Sequence, residues 1–211
     1  MKKYNILALL MLMLAPLCFM ACSESDDTVE EFPDWKNRNE TYFDNIYEKA
    51  KSVEDGSWKI IRNYTLEDTI PVSSTDNIVV EVLEEGTGSG CPMFTDSVLV
   101  NYRGRLLPST SYSDGYVFDQ SYTGDYNPQT AMPSQLYVGS LIDGFATALQ
   151  YMHIGDRWRV YIPYQMGYGT TATTSIPAYS TLIFDISLVA YYRAGVTPDP
   201  WYAKRGMWIT K

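Results

Sequence analysis

From Asn77 onward the chain is patterned as strands, with one short helix set among them. Ile78-Val79-Val80-Glu81-Val82-Leu83 is an almost unbroken β-branched and apolar run. Residues 97–107, 157–163 and 181–192 repeat that texture. Between the second and third runs, residues 142–152 place Phe145, Leu149 and Met152 on one face at helical spacing, with Gly144 tolerable near the start. Strands around a lone helix predict an α+β fold: an antiparallel twisted β-sheet wrapped around one short helix. Upstream, residues 34–54 read as an N-terminal helical extension. Trp35, Tyr42, Phe43, Ile46, Tyr47, Ala50 and Val53 follow the 3.6-residue repeat, Pro33 and Asp34 suit its start, and Gly56 suits its end. That apolar stripe must be covered, either by the body of the same chain or by a second copy. Residues 58–64 then read as a short strand or connector.

Several chemistries find no residues to work with. The chain carries 16 basic against 25 acidic residues, a net charge of −9, and one histidine, which argues against gripping nucleic acid backbones. That histidine, His153, precedes Ile154-Gly155-Asp156 where a helix would end, so it reads as a cap or surface residue. No G-x-S-x-G elbow, zinc spacing or calcium loop occurs. Gly86-Thr87-Gly88-Ser89-Gly90 is followed by Pro92 rather than by a helix or a lysine, so it is a turn and not a phosphate cradle. Paired carboxylates for glycoside cleavage stay open, because that pairing is spatial. The pattern points away from metal, cofactor and covalent chemistry and toward a site of apolar and aromatic groups.

The first residues read as a targeting signal. Lys2 and Lys3 precede an apolar stretch broken by Pro16 and closed by Phe19-Met20-Ala21-Cys22. It is too short, and too soon followed by acids, to span a membrane comfortably. Ala21 before a cysteine resembles a bacterial lipoprotein signal, which implies lipid on Cys22 and membrane attachment through it, although Phe19 stands where that family prefers Leu. Cys18 leaves with such a signal, so Cys91 alone remains and no internal bridge forms; it reads as a small packing residue. Cleavage removes two lysines and leaves 14 basic against 25 acidic residues, so the acyl chains would have to do the anchoring. Ser23 to Glu31 is acidic, a solvated tether that also resembles the export signal of surface lipoproteins of the Bacteroidetes. The expected division is 1–21 signal, 22–33 acidic tether, 34–75 helical extension, 76–193 main domain and 194–211 tail, with Trp201, Tyr202 and Trp208 in the tail. The expected location is the cell envelope, as an outer-membrane lipoprotein; the leaflet and oligomeric state stay open.

Six ordered motifs over residues 76–193 resemble FKBP-type peptidyl-prolyl cis-trans isomerases. Val98-Leu99-Val100-Asn101-Tyr102-Arg103-Gly104 is similar to that family's V-x-Y-x-G strand, and Val117-Phe118-Asp119-Gln120-Ser121 to its F-D-S segment. Leu141-Ile142-Asp143-Gly144-Phe145 resembles its helix entry and Met152-His153-Ile154-Gly155 its helix exit. Ile162-Pro163-Tyr164-Gln165-Met166-Gly167-Tyr168-Gly169 resembles I-P-P-x-x-A-Y-G. Ile176-Pro177-Ala178, with Thr181-Leu182-Ile183-Phe184-Asp185-Ile186-Ser187-Leu188, resembles I-P-P followed by T-L-x-F-D-V-x-L. The resemblance implies a pocket floored by Phe145 and walled by Tyr102, Phe118, Leu141, Ile142 and Phe184. It implies Asp119 beside the pocket, the Tyr168 hydroxyl and the Ile142 backbone N–H as donors to substrate carbonyls, and Ile176 as a flap residue.

The rim departs from that pattern. Residues 105–117 are longer than the family's turn, and the stretch after Gly139 is shorter. An aromatic expected near Met132-Pro133-Ser134 is missing, residues 170–175 are threonine-rich, and Ala178 stands for the second flap proline. The implied activity is isomerisation of X–Pro bonds in exported, proline-containing polypeptides, without cofactor or metal. The alternatives are a non-catalytic peptide- or partner-binding module on the same fold and a structural component of an envelope assembly.

Overall fold

The computed structural model describes residues 29–67, 69, 70 and 72–195. The signal, Cys22 and the tail tryptophans lie outside the described residues. Seven strands form one antiparallel sheet: β1 (Trp58–Arg62), β2 (Asn77–Glu84), β3 (Ser97–Arg105), β4 (Val117–Gln120), β5 (Ser134–Tyr137), β6 (Arg157–Ile162) and β7 (Leu182–Tyr192). Their spatial order is β1-β2-β6-β7-β3-β4, with β5 also paired to β3. The expected α+β architecture is therefore present, with β1 as an edge strand of the same sheet.

The expected short helix is α2 (Asp143–Tyr151), and the sheet curls around it. Gly144 to Leu149 are all buried, which is why this segment reads as apolar on nearly every side. Gly144 allows close approach: a Cβ there would stand 2.3 Å from Ile162 Cγ2 of β6. Around the helix the core gathers Ile78, Val80, Val98, Val100, Val160, Leu182 and Ile186, each fully buried.

The N-terminal helix α1 (Trp35–Ser52) spends its apolar stripe on the body of its own chain. Trp35, Phe43 and Ala50 are buried in the main core, and Tyr42, Ile46 and Tyr47 pack against it. Asn39, fully buried, lies in the same stripe, a position apolar spacing could not mark. Its Oδ1 accepts the Thr181 N–H at 2.7 Å, and its Nδ2 donates to the Trp35 carbonyl at 2.7 Å. Trp35 Nε1 donates to Ser180 Oγ at 2.8 Å. The bonds to Thr181 and Ser180 fasten α1 to the loop that leads into β7.

β4 and β5 are four-residue strands that the sequence did not announce. Both pair with β3 on the side away from β7: β5 along Ser97–Val100 and β4 along Arg103–Arg105. The glycine-rich loop is an irregular connection with no helix after it. Gly86 N–H donates to the buried Asp156 carboxylate at 2.7 Å, and His153 N–H donates to the same group at 2.7 Å. The His153 ring is a half-exposed surface group just past the end of α2.

Candidate active site

The pocket is assembled from strand positions whose alternation turns aromatic rings inward. Tyr102 comes from the middle of β3, Phe184 from β7 and Phe145 from the first turn of α2. Tyr102 and Phe145 meet edge to face at 5.9 Å, and Phe145 and Phe184 at 5.0 Å. Phe118, on β4, stands edge-on to Phe184 at 5.4 Å. Such edge-to-face pairs lock ring orientations beyond what burial alone does. Gly104 makes the arrangement possible, since a Cβ there would lie 2.5 Å from the Phe184 ring and 2.7 Å from the Phe118 ring.

The cavity these rings border has a volume of about 250 Å3. Tyr102, Phe145 and Phe184 form its aromatic side, Leu141 and Ile142 its aliphatic side, and Asp119 and Tyr168 stand at its mouth. Pockets for drug-sized ligands run about 300–1,000 Å3. This one suits a single small ring. Among the described residues, no group of three or more His, Cys, Asp or Glu side chains comes together as metal ligands do.

Polar groups are few and directional. Tyr102 donates its hydroxyl to Asp119 Oδ2 at 2.9 Å. Burial, followed by that hydrogen bond and the negative charge beside it, pushes the Tyr102 pKa up to about 12, so the phenol stays protonated. Ser121 holds Tyr102 by its backbone: its Oγ accepts the Tyr102 N–H at 2.9 Å, and its own N–H donates to the Tyr102 carbonyl at 2.9 Å. The Tyr168 pKa is likewise raised, by burial and then by Asp119. Its ring is 44% exposed, and its hydroxyl makes no hydrogen bond among the described residues. Ile142 has extended backbone as the residue capping α2, so its N–H lies outside the helix ladder; it too donates to nothing among the described residues. Two donors, one side chain and one backbone, are thus left for a ligand at the pocket.

Eight of the nine site residues expected from the sequence gather here: seven line the cavity and Phe118 braces its wall. The ninth, Ile176, does not. It is 4% exposed and borders a neighbouring concavity instead. Two lining residues were missed. Leu136 sits on the short β5, and Ser140 in the tight turn just before α2. No period marked the first, because β5 is only four residues long, and nothing marked the second. Cys91 is half-buried, and burial raises its thiol pKa, which leaves it a poor nucleophile.

Residues 89–189 match the family model described as FKBP-type peptidyl-prolyl cis-trans isomerase. A protein named macrophage infectivity potentiator from Trypanosoma cruzi is 37% identical over 125 residues, 59% of this chain and 58% of that protein. The FKBP-type 22 kDa peptidyl-prolyl cis-trans isomerase of Escherichia coli K12 is 35% identical over 120 residues, 56% of this chain and 52% of that one. The chain thus spans about half the length of these curated relatives. Among solved structures, a peptidyl-prolyl cis-trans isomerase from Pseudomonas syringae pv. tomato DC3000 superposes with a TM-score of 0.53 at 27% identity. The match covers 75% of this chain and 96% of that one. FkpA from Escherichia coli gives a TM-score of 0.54 at 28% identity, covering 76% of this chain and 62% of that one.

Proposed function

We infer that this chain, whose residues 89–189 belong to the FKBP-type peptidyl-prolyl cis-trans isomerase family, catalyses cis-trans isomerisation of X–Pro bonds in polypeptides. The observation that carries the reading is the small aromatic cavity with two unpaired donors at its edge.

The chemistry required is modest. Amide resonance sets a rotation barrier of about 18–20 kcal/mol. Twisting the C–N bond removes that resonance and makes the amide less dipolar. An apolar cavity loses less by holding the twisted form than water does. The proline ring rests on Phe145 between Tyr102 and Phe184, while Tyr168 and the Ile142 N–H hold carbonyls on either side of it. With both ends fixed, binding energy goes into the twist, and each 1.36 kcal/mol removed from the barrier is about tenfold in rate. Asp119 keeps the Tyr102 ring in place through its hydrogen bond. No nucleophile, metal or cofactor takes part in such a step.

The chain acts in the cell envelope, held by lipid on Cys22 after removal of residues 1–21, with residues 22–33 as an acidic tether. Exported proteins with slow X–Pro steps are its substrates. The support for this placement is the Ala21-Cys22 junction and the acids after it.

The test is the rate of cis-trans exchange in short X–Pro peptides with the protein from Ser23 onward. Turnover that falls in both Phe118→Ala and Asp119→Ala supports the reading; a folded protein without turnover sinks it. For the anchor, Cys22→Ser should move the protein from the membrane fraction to the soluble fraction. Unchanged membrane retention would count against lipidation at that residue.

A further inference from the structure

The face of the sheet turned away from the proline pocket carries a concavity of about 600 Å3. Tyr102 turns into the pocket, so its neighbour Asn101 on β3 turns to the opposite face. Ser187 of β7, Arg157 of β6 and Glu84 of β2 follow Asn101 in register across that face. The connection between β4 and β5, residues 121–133, forms the other wall, with Met132 70% exposed. Ile154 and Val189 supply apolar surface between the two.

Asn101 is 3% exposed, yet its Oδ1 accepts no hydrogen bond. Its Nδ2 donates to nothing among the described residues either. A buried carbonyl left without a donor carries the cost of its desolvation with no bond in return. The charged groups of this face already answer one another: Arg157 pairs with Glu84 at 3.1 Å, and Arg159 with Asp185 at 2.7 Å. An ionic ligand would have to break one of those pairs. Ser187 Oγ accepts the Tyr126 hydroxyl at 3.0 Å. The concavity thus offers one open amide beside apolar walls. A side-chain amide matches a peptide unit, accepting its N–H and donating to its carbonyl.

The covering connection is anchored on both sides of the concavity. Arg103 lies over the Tyr122 ring at 4.7 Å and Arg157 over the Tyr126 ring at 4.8 Å, and Ser134 begins β5. Between these anchors the N–H groups of Gln129, Thr130 and Ala131 all turn to Asn127, so none of them ties the cover to the sheet. Residues 128–132 can therefore shift to admit a chain to the Asn101 amide while both anchors stay.

We propose that this concavity is a second polypeptide site, one that binds an extended segment whether or not it contains proline. Asn101 pairs with one peptide unit, and the apolar side chain next to it packs on Ile154 and Val189. The two sites lie on opposite faces of β3, so a client long enough to pass around the sheet edge at β4 and β5 occupies both. Held here, a client keeps its prolines at high local concentration near the pocket. That use rests on reading the aromatic cavity as the proline site; the binding itself does not.

The test measures binding of a fluorescent, proline-free ten-residue peptide of alternating leucine and threonine, and of the same peptide with its backbone nitrogens methylated. The unmodified protein is compared with Asn101→Leu, which removes the amide, with Ala131→Trp, which fills the concavity from its cover, and with Phe118→Ala, which alters only the proline pocket. The expected result is binding that weakens about tenfold or more in Asn101→Leu and in Ala131→Trp, and equally on backbone methylation, but not in Phe118→Ala. The thermal midpoint of Asn101→Leu should equal or exceed that of the unmodified protein, because an unanswered buried amide is traded for an apolar group. Turnover of short X–Pro peptides should be unchanged in Asn101→Leu. Equal binding by all four proteins, or none at millimolar peptide, overturns the proposal. A lowered midpoint in Asn101→Leu with binding intact would make a buried water the partner of Asn101 and overturn it too. Self-association abolished by Ala131→Trp, without peptide binding, would give the space to a second copy with the same result. A protein that binds this peptide but turns over no X–Pro bond sinks the isomerase reading and leaves the second site standing.

Discussion

The molecule carries two neighbouring concavities made in opposite ways. The cavity of about 250 Å3 is lined largely by residues that also belong to the core: Phe145 is 4% exposed, Phe184 5% and Tyr102 9%. The groove of about 430 Å3 is bounded by connections, and its most prominent ring, Tyr112, is 44% exposed. Where site and core share side chains, the fold itself sets the site geometry. Where a concavity lies on loops, hydrogen-bonded fastenings must do that work: the Glu31 carboxylate accepts the Ser111 N–H at 3.0 Å, and Ser180 Oγ accepts from Trp35 Nε1 at 2.8 Å. The first arrangement resists change because altering it unfolds the protein; the second can be rebuilt without touching stability.

The sharpest way to break that contrast is Phe145→Ala. Truncating this ring should cost about 3–5 kcal/mol of stability, as large aromatic deletions in cores do, and remove turnover with it. Urea unfolding measures the first and peptide exchange the second. A cost under about 1 kcal/mol would show that the pocket floor is not part of the core.

A second test is pH. Burial and Asp119 favour the neutral Tyr102 phenol in the fold and raise its pKa to about 12, against about 10 in the unfolded chain. Because the folded pKa is the higher one, the contribution is complete below pH 10 and is lost as pH rises from about 10 to 12. Unfolding free energy should fall over that window. Tyr102→Phe should flatten part of the slope, other buried tyrosines keeping the rest. No change of slope would place the Tyr102 hydroxyl in water.

Tyr168→Phe removes one hydroxyl from the cavity mouth and nothing from the core. It should lower kcat/KM about two- to tenfold, the worth of one neutral hydrogen bond, with stability nearly unchanged. An unaltered kcat/KM would remove Tyr168 from the binding of substrate.

Smallest of all is the stability effect of Tyr112→Ala, within about 0.5 kcal/mol, because exposed loop positions carry little of the fold. A cost comparable to that of Phe145→Ala would erase the distinction between the two concavities.

The same contrast explains what the sequence made legible. Tyr102, Phe145 and Phe184 sit in runs whose period and ordered motifs place them on one face, so both the sheet and the pocket could be read from them. β4 and β5 are too short to show a period, and Leu136 went unmarked with β5. Asn39 broke the apolar stripe of α1 by type, yet it is fully buried, because its amide answers backbone groups that no sequence pattern displays. Ile176 was expected at the pocket because its motif was right. Ile176 borders the neighbouring concavity, in a loop whose tip Thr173 closes on the Ile176 backbone by hydrogen bonds that no motif displays. Ser121 fell within a matched segment, but its grip on the Tyr102 backbone depends on pairing across β3 and β4.

The most direct test of the central claim is exchange spectroscopy on a single-proline peptide, which reads cis-trans interconversion without a coupled reaction. The protein from Ser23 onward should speed exchange at substoichiometric concentration, and Phe118→Ala, folded by circular dichroism, should lose most of that acceleration. Exchange at the uncatalysed rate in the presence of the folded protein would contradict the account and leave the pocket as a site that binds without catalysing.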